Sequence, residues 1–394
     1  LVRSPLIPRN RPPEVIPDSG LAPVRAPSGV VPHRIAITHD FLVERGGAER
    51  VLVQLARSFP AASIHTALCQ PHATYAEVTG LVARSMLGDP LHLFARQHRL
   101  SLPLAARAFR SAEIDADVLI ASSSGLAHLA ECTGRRIVYC HTPARWLYKP
   151  EDYFRRLPAP ARRFLTPAFL RWLQAADRQS MRSADIVVVN SDYTAAEVHR
   201  LYGLKPHVVR PVSSMDVNGT ATPLPGIEPG FFLTPSRLLG YKRLEVLLDA
   251  ARRLPEHRFV IVGQGPLLFT LRRTAPPNVH VAGGVSESTL RWAFRECHAV
   301  ALTSADDYGL VPDEAAAFGK LAITPLAGGY LEQHSPGAST STYRFGDASS
   351  LSAVLKIVGS GSYLLPCHDL EVDRERFDRQ IQALVTSLTG AVER

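Results

Sequence analysis

Two doubly wound, parallel α/β domains in series are what this sequence predicts, on three observations. Short apolar stretches of strand length alternate with helical patterns in both halves of the chain. Between the halves runs VSSMDVNGTATPLPGIEPG, rich in Pro, Gly and Ser and without periodicity, which reads as an interdomain linker. The length of 394 residues exceeds one ordinary core and suits two. The resulting plan is a flexible Pro/Arg-rich arm over 1–32, an N-terminal domain over 33–212, a linker over 213–229, a C-terminal domain over 230–372 and a terminal helical segment over 373–394.

Composition excludes several classes. Hydrophobic content of 46% with 20% charged residues describes a globular chain and not a disordered one. No apolar run reaches the length of a membrane span, and the N-terminus lacks the apolar core of a signal peptide. The five cysteines, Cys69, Cys132, Cys140, Cys297 and Cys367, are scattered without a CxxC pair and read as thiols of a reducing compartment, so the cytoplasm is the expectation. The net charge of +8 admits nucleic acid, an anionic membrane or an anionic small substrate. Arginines cluster in the first half (Arg96, Arg99, Arg107, Arg110, then Arg155, Arg156, Arg162, Arg163, Arg171), but no zinc spacing, aromatic-basic interleaving or recognition helix accompanies them, which argues against nucleic acid. The mixture in HLFARQHRLSLPLAARAF suits either peripheral contact with an anionic membrane or an ordinary domain-packing helix.

The first buried strand is RIAIT (34–38), followed by HDFLVERGGAER and the helix VLVQLARSF. Gly46 and Gly47 sit at that helix start, where backbone N–H groups form a natural anion site, although two glycines also serve a tight turn. Further strands are expected at 63–67, 118–122 and 137–140. Asp115-Ala116-Asp117 is a DxD triplet, but it precedes its strand instead of following it and reads as the end of a loop. His141 follows its strand directly, at the carboxyl end where α/β sites form, whereas His128 has no such support. A helix over 160–183, the strand DIVVVN and a helix capped by Ser191 complete the domain.

The second domain repeats the alternation, with strands at 231–234, 258–263, 279–283, 299–303 and 321–324. Its first strand is followed by a break holding Ser236 and Arg237, with Lys242 at the next helix start; Asp306 and Glu314 flank a later loop-to-helix turn, where Pro312 suits the first helical position and Asp313 complements the helix dipole. Two cations at a strand end suit a diphosphate, and carboxylates suit sugar or ribose hydroxyls. The turns Gly263-Gln264-Gly265 and Gly283-Gly284-Val285 also follow strands, but neither completes GxGxxG and no acidic ribose partner stands at the usual offset, which counts against a nicotinamide dehydrogenase. Residues 373–389 have the period of an amphipathic helix.

From about Arg34 to the C-terminus the chain resembles the retaining glycosyltransferases of family 4, which share the GT-B architecture. The residues that carry the resemblance are Ser236-Arg237 to Lys242, in the place of an S-R-x4-K stretch, and Asp306 to Glu314, in the place of a Glu-x7-Glu motif with Asp where Glu is usual. HTPARW, from His141, resembles the HTPxRW stretch of bacterial members that use nucleotide-activated mannose or related sugars. The resemblance implies two Rossmann-like domains facing across a cleft, with a C-terminal helix crossing back to the first. It implies metal-independent, retaining transfer of a hexose from a nucleotide-sugar donor to a hydroxyl of a glycan, lipid-linked or natural-product acceptor, with no cofactor. Arg237 and Lys242 would then hold the diphosphate. Asp306 and His141 would approach the sugar, and Glu314 the ribose. Gly46, Gly47, Ser236, Gly263, Gly265, Val285, Asp307, Tyr308, Gly309 and Leu310 would line the donor site. The Asp at 306 keeps one alternative open: a catalytically weak homologue acting as a sugar-nucleotide-binding partner subunit.

Overall fold

The computed structural model describes residues 34–87, 101–148, 167–333, 339–361 and 365–390. The arm over 1–32, Arg96, Arg99, Arg155, Arg156, Arg162 and Arg163 lie outside the described residues, as do residues 160–166 of the expected helix over 160–183. In chain order the strands of the N-terminal half are β1 (Ile35–His39), β2 (Ser63–Thr66), β3 (Val82–Ser85), β4 (Glu113–Ile114), β5 (Val118–Ser123), β6 (Glu131–Cys132), β7 (Arg135–Cys140), β8 (Ile186–Val189) and β9 (His207–Val208). Those of the C-terminal half are β10 (Phe232–Pro235), β11 (Phe259–Val262), β12 (Val279–Gly283), β13 (Ala299–Ala301), β14 (Leu321–Pro325) and β15 (Thr340–Tyr343). Among the described residues they form a seven-stranded sheet, β3-β2-β1-β5-β7-β8-β9, a six-stranded sheet, β12-β11-β10-β13-β14-β15, and the small ribbon β4-β6. Every pairing is parallel.

Helices cover both faces of each sheet, so the central strands are buried along their length. Val118 to Ser123 in β5, Phe259 to Val262 in β11 and Leu321 to Pro325 in β14 are all buried. Among the elements not read from the sequence are one edge strand of each sheet, VARS in β3 and TSTY in β15, together with the ribbon and the helix Ala348–Ser360. Edge strands face solvent on one side and carry polar residues, which removes the apolar run that marks a central strand.

The strand order reverses between β1 and β5 in the first sheet and between β10 and β13 in the second. The chain winds outward one way and then returns to wind the other, and a crevice opens at the carboxyl ends of the two strands it skips between. The loops after β1, β5, β10 and β13 are therefore the ones placed to bind a ligand.

The helix Leu370–Thr389 crosses back onto the first domain. Asp369 caps it by accepting from Glu371 N at 2.9 Å. Its buried face, Leu370, Phe377, Ile381 and Val385, joins the same core as Ile37, Leu52, Leu55 and Tyr139. Asp378 accepts from Gln54 Nε2 at 2.7 Å and Ser58 Oγ at 2.5 Å on the helix Gly47–Ser58. Burial of each large apolar side chain there contributes roughly 1.5–3 kcal/mol. The linker region is tied down from the same side: Arg374 Nη2 donates to Met215 O at 2.7 Å, and Arg291 Nε donates to Asp216 O at 2.5 Å.

The helix Leu102–Arg110 buries Leu102, Ala105, Ala106 and Phe109 in the N-terminal core, while Arg110 lies over the Trp172 ring at 4.8 Å. Packing of the described part of that basic stretch is thus an ordinary core-facing helix. No helix among the described residues is long and apolar enough to cross a membrane.

Candidate functional site

The loop after β10 begins with Ser236 and Arg237. It lies directly on the turn after β11, and this close approach fixes two glycines. A Cβ on Gly263 (φ 148°) would stand 1.8 Å from Ser236 O, and one on Gly265 (φ 152°) 2.5 Å from Leu238 O. Both glycines support the Arg237 loop from beneath. Arg237 then reaches across to the N-terminal domain, where its Nη1 meets Glu44 Oε1 at 2.6 Å, while Nη2 donates to Tyr241 Oη at 2.7 Å.

Lys242 closes a 3-10 turn, Gly240–Lys242, just ahead of the helix Leu244–Ala251. Between the two, Arg243 adopts φ 51°, the one positive-φ residue other than glycine among those described. That left-handed step, costing on the order of 1 kcal/mol or more, turns the chain sharply enough to aim Lys242 at the loop after β13. Its Nζ sits 2.7 Å from Asp306 Oδ1 and 2.8 Å from Oδ2. Tyr330 Oη also donates to Asp306 Oδ2, at 2.9 Å. Burial opposes the charge on Asp306, but the Lys242 ammonium and the hydrogen bonds from Lys242, Ser304 and Tyr330 prevail and hold its carboxyl at about 2. The switch point of the second sheet therefore carries two arginine- or lysine-centred ion pairs.

The segment after Asp306 is clamped from the N-terminal domain. Asp307 Oδ2 takes Arg145 Nη2 at 2.7 Å, and its carbonyl accepts from Ser191 Oγ at 2.6 Å. Arg145 lies over the Tyr241 ring at 5.4 Å. Tyr308 and Leu310 turn their side chains into the N-terminal core cluster. Gly309 O accepts from Gln333 Nε2 at 3.0 Å. Asp313 lies in the first turn of the helix Val311–Ala317, where the sequence places it. It is half-buried, accepts from Tyr308 Oη at 2.8 Å, and burial pushes its carboxyl up to about 7. Glu314 is 4% exposed, and burial pushes its carboxyl up, against the pull of Arg50 and Ser213. Ser213 Oγ donates to its Oε1 at 2.6 Å and Arg50 Nε approaches the same oxygen at 3.3 Å.

On the N-terminal side, Asp40 follows β1 and accepts from the backbone N–H groups of Ser124 (2.7 Å), Leu126 (3.1 Å) and Ala127 (2.5 Å), locking together the loops after β1 and β5. Gly46 is the N-cap of the helix Gly47–Ser58. A Cβ on Gly47 would lie 3.7 Å from Leu310 Cδ1, so this turn faces the 306–310 loop. His141 follows β7; its Nε2 is 2.8 Å from Ser122 Oγ, which is 3.0 Å from His39 Nδ1. Burial, helped by His39, pushes the His141 imidazole down to about 3, so it works as a neutral group. Val285 packs against the C-terminal core cluster. His128 is a buried core histidine, with Ser123 Oγ 2.8 Å from its Nδ1 and Asp177 Oδ1 3.0 Å from its Nε2. The DxD triplet is bound by Arg34, at 2.5 Å to Asp115 and 3.3 Å to Asp117. It fastens the strand β1 to the loop before β5.

The structure thus brings Arg237, Lys242, Asp306, Asp307 and the Gly46–Gly47 turn to facing loops of two domains. Sequence reasoning passed over Glu44, Arg50, Asp40 and Arg145. Arg145 stood within the HTPARW stretch and Arg50 within GGAER, but nothing local says that an arginine will be met by a carboxylate more than a hundred residues away.

Two parallel Rossmann-like domains, with facing loops at both switch points and a C-terminal helix returned to the first domain, make up the GT-B architecture. The family model Glycosyltransferase Family 4 matches residues 45–213 and that of Glycosyl transferases group 1 matches residues 225–360. The chain belongs to glycosyltransferase family 4. Solved structures agree in fold. Anabaena Alr3699/HepE in complex with UDP and glucose aligns with a TM-score of 0.63 at 18% identity, over 90% of this chain and 100% of that one. Sucrose-phosphate synthase from Thermosynechococcus elongatus gives 0.61 at 15% identity, over 91% and 100%. WaaG, a glycosyltransferase involved in lipopolysaccharide biosynthesis, gives 0.58 at 14% identity, over 88% and 94%. No curated protein sequence matches significantly.

Proposed function

We propose that this chain is a retaining, metal-independent hexosyltransferase of the cytoplasm. Its donor would be a nucleotide-sugar carrying a mannose-like or related hexose, and its acceptor a hydroxyl of a glycan, lipid-linked or natural-product molecule. The observation that carries the reading is the placement of Arg237 and Lys242 at the reversal point of the second sheet, beside Asp306 and opposite the Gly46–Gly47 helix start. The neighbour that binds UDP and glucose in the same fold adds support for a nucleotide-sugar donor.

The reaction breaks the bond from the sugar C1 to the diphosphate and forms one from C1 to the acceptor oxygen on the same face. The acceptor proton passes to the departing phosphate oxygen. No protein nucleophile is needed; positioning and charge do the work. Arg237 supplies a bidentate grip on the diphosphate and Lys242 a compact positive charge. Asp306, ionised at neutral pH, orients sugar hydroxyls and faces the positive charge that develops on the ring. The neutral His141 accepts or donates a hydrogen bond to the sugar without adding charge, and the backbone of 307–310 lines its path.

Thermal-shift measurements with UDP, GDP, dTDP and their hexose conjugates test the reading, since a ligand of the folded state raises apparent stability. One nucleotide series stabilises the protein, and its sugar conjugate is turned over in the presence of EDTA. Binding without turnover across a broad acceptor panel favours the partner-subunit alternative. Activity restored only by magnesium or manganese overturns metal independence.

A further inference from the structure

Arg50 stands in the helix Gly47–Ser58 of the N-terminal domain, yet its guanidinium lies among groups of the other domain. Nη2 is 2.7 Å from Glu287 Oε1 and 3.2 Å from Oε2, and Nε is 3.3 Å from Glu314 Oε1. The Tyr75 ring packs at 5.1 Å from the guanidinium carbon. Arg50 is 7% exposed and Glu314 4% exposed. A cation this deep is costly unless paired. Glu287 already pairs with Nη2 through both of its oxygens, so the approach of Nε to Glu314 is a further constraint on the carboxylate.

Ser213 Oγ donates to Glu314 Oε1, and the Arg50 guanidinium is ion-paired through Nε with that same oxygen. A carboxylate held at one oxygen from two directions loses its freedom to rotate and presents the other oxygen in a fixed direction. We infer that Arg50 is a positioning residue, reaching across the domain boundary to hold Glu314 Oε1 so that Oε2 accepts from the ribose hydroxyls of the donor nucleotide. The inference rests on the assignment of Glu314 to the ribose. It adds that ribose recognition by the C-terminal domain depends on a side chain of the N-terminal one. Glu287 orients Arg50 from the first turn of its own helix, Glu287–Glu296.

The test compares affinities for UDP and GDP with those for their 2′-deoxy and 3′-deoxy counterparts, measured by calorimetry on the full chain. In the wild type, removing the hydroxyl that meets Glu314 weakens binding on the order of tenfold or more, as expected for a bond to a charged acceptor. In Arg50→Met that ratio falls toward one, because a loosely held carboxylate gains little from the hydroxyl. Arg50→Gln, which keeps a donor and removes the charge, serves where Arg50→Met does not fold. A purely structural staple would lower thermal stability and leave the ratio between ribose and deoxyribose ligands at its wild-type value; that result overturns the inference. A wild-type ratio of one, with Glu314→Gln also without effect, removes the ribose assignment itself and the inference with it.

Discussion

At the scale of single residues the site is built from compensated charges. Asp306 lies one methylene short of the glutamate usual in the family, yet it meets Lys242 at 2.7 Å and Tyr330 at 2.9 Å. The shorter side chain is therefore reached by its partners. If it orients the sugar, Asp306→Asn lowers turnover roughly 10²- to 10³-fold, the size expected when a preorganised electrostatic partner is lost. Nucleoside diphosphate affinity, read by calorimetry, does not fall in that variant, because Lys242 is released from its carboxylate. Arg237→Ala and Lys242→Ala give the reverse pattern, each losing about 1.5–3 kcal/mol of diphosphate binding. Equal losses of diphosphate affinity in Asp306→Asn and Lys242→Ala would show the roles to be misassigned. Asp313 gives a prediction about stability. Its carboxyl, pushed up by burial to about 7, binds a proton more readily folded than unfolded. Such a group favours the fold below the unfolded value near 4, and that contribution is lost as pH rises through about 7. Asp313→Asn should therefore match the wild type near pH 4, draw ahead of it between pH 4 and 7, and exceed its melting temperature by a few degrees at pH 8. A difference that does not grow with pH would sink this account.

At the scale of elements, the central strands and their order of appearance were legible because parallel strands buried on both faces leave continuous apolar runs, as FVIV and VLIA do. The edge strands β3 and β15 were not, because polar residues replace that signal there, whereas the edge strand β12 keeps Val279 and Val281 buried and was legible. The same split holds in the site. Arg237, Lys242 and Asp306 were readable because they sit next to strand ends, whereas the partners Glu44 and Arg145 lie on the other domain and leave no local trace. The C-terminal helix was readable as a helix from its period, and its docking face is where its energetic meaning resides. Phe377 is buried beside Tyr139, ring centroids 6.1 Å apart, although the two belong to different halves of the chain. Phe377→Ala should cost about 3–5 kcal/mol, as large-to-small changes in a packed core do. The loss should appear in the N-terminal domain. Hydrogen exchange would show faster opening of the helix Gly47–Ser58, with the central strands of the second sheet little changed. Opening confined to the C-terminal domain would mean that the helix stabilises its own half instead.

At the scale of the whole molecule, the two domains are joined across the site by ion pairs with one member on each side: Arg237 with Glu44, Arg145 with Asp307, and Arg50 with Glu287 and Glu314. The first of these differs from the others in exposure. Its side chains are 43% and 37% exposed, while Arg50 is nearly enclosed. A pair this open contributes only about 0.2–1 kcal/mol, and it occupies the guanidinium proposed to grip the diphosphate. On that proposal Glu44 competes with a phosphate oxygen for Arg237 Nη1. Glu44→Gln removes the competing charge and keeps the volume. Its diphosphate affinity should rise roughly 1.5- to 5-fold, the affinity equivalent of that range. The gain should vanish in Glu44→Gln combined with Arg237→Ala, since no guanidinium then remains to be freed. It should also shrink as salt is raised, because ions screen the exposed wild-type pair. Calorimetry on the two single variants and the double variant at two ionic strengths closes the cycle. Weaker diphosphate binding in Glu44→Gln would mean that Glu44 holds Arg237 in its productive position, making the cross-domain pair a support for the donor and not its competitor.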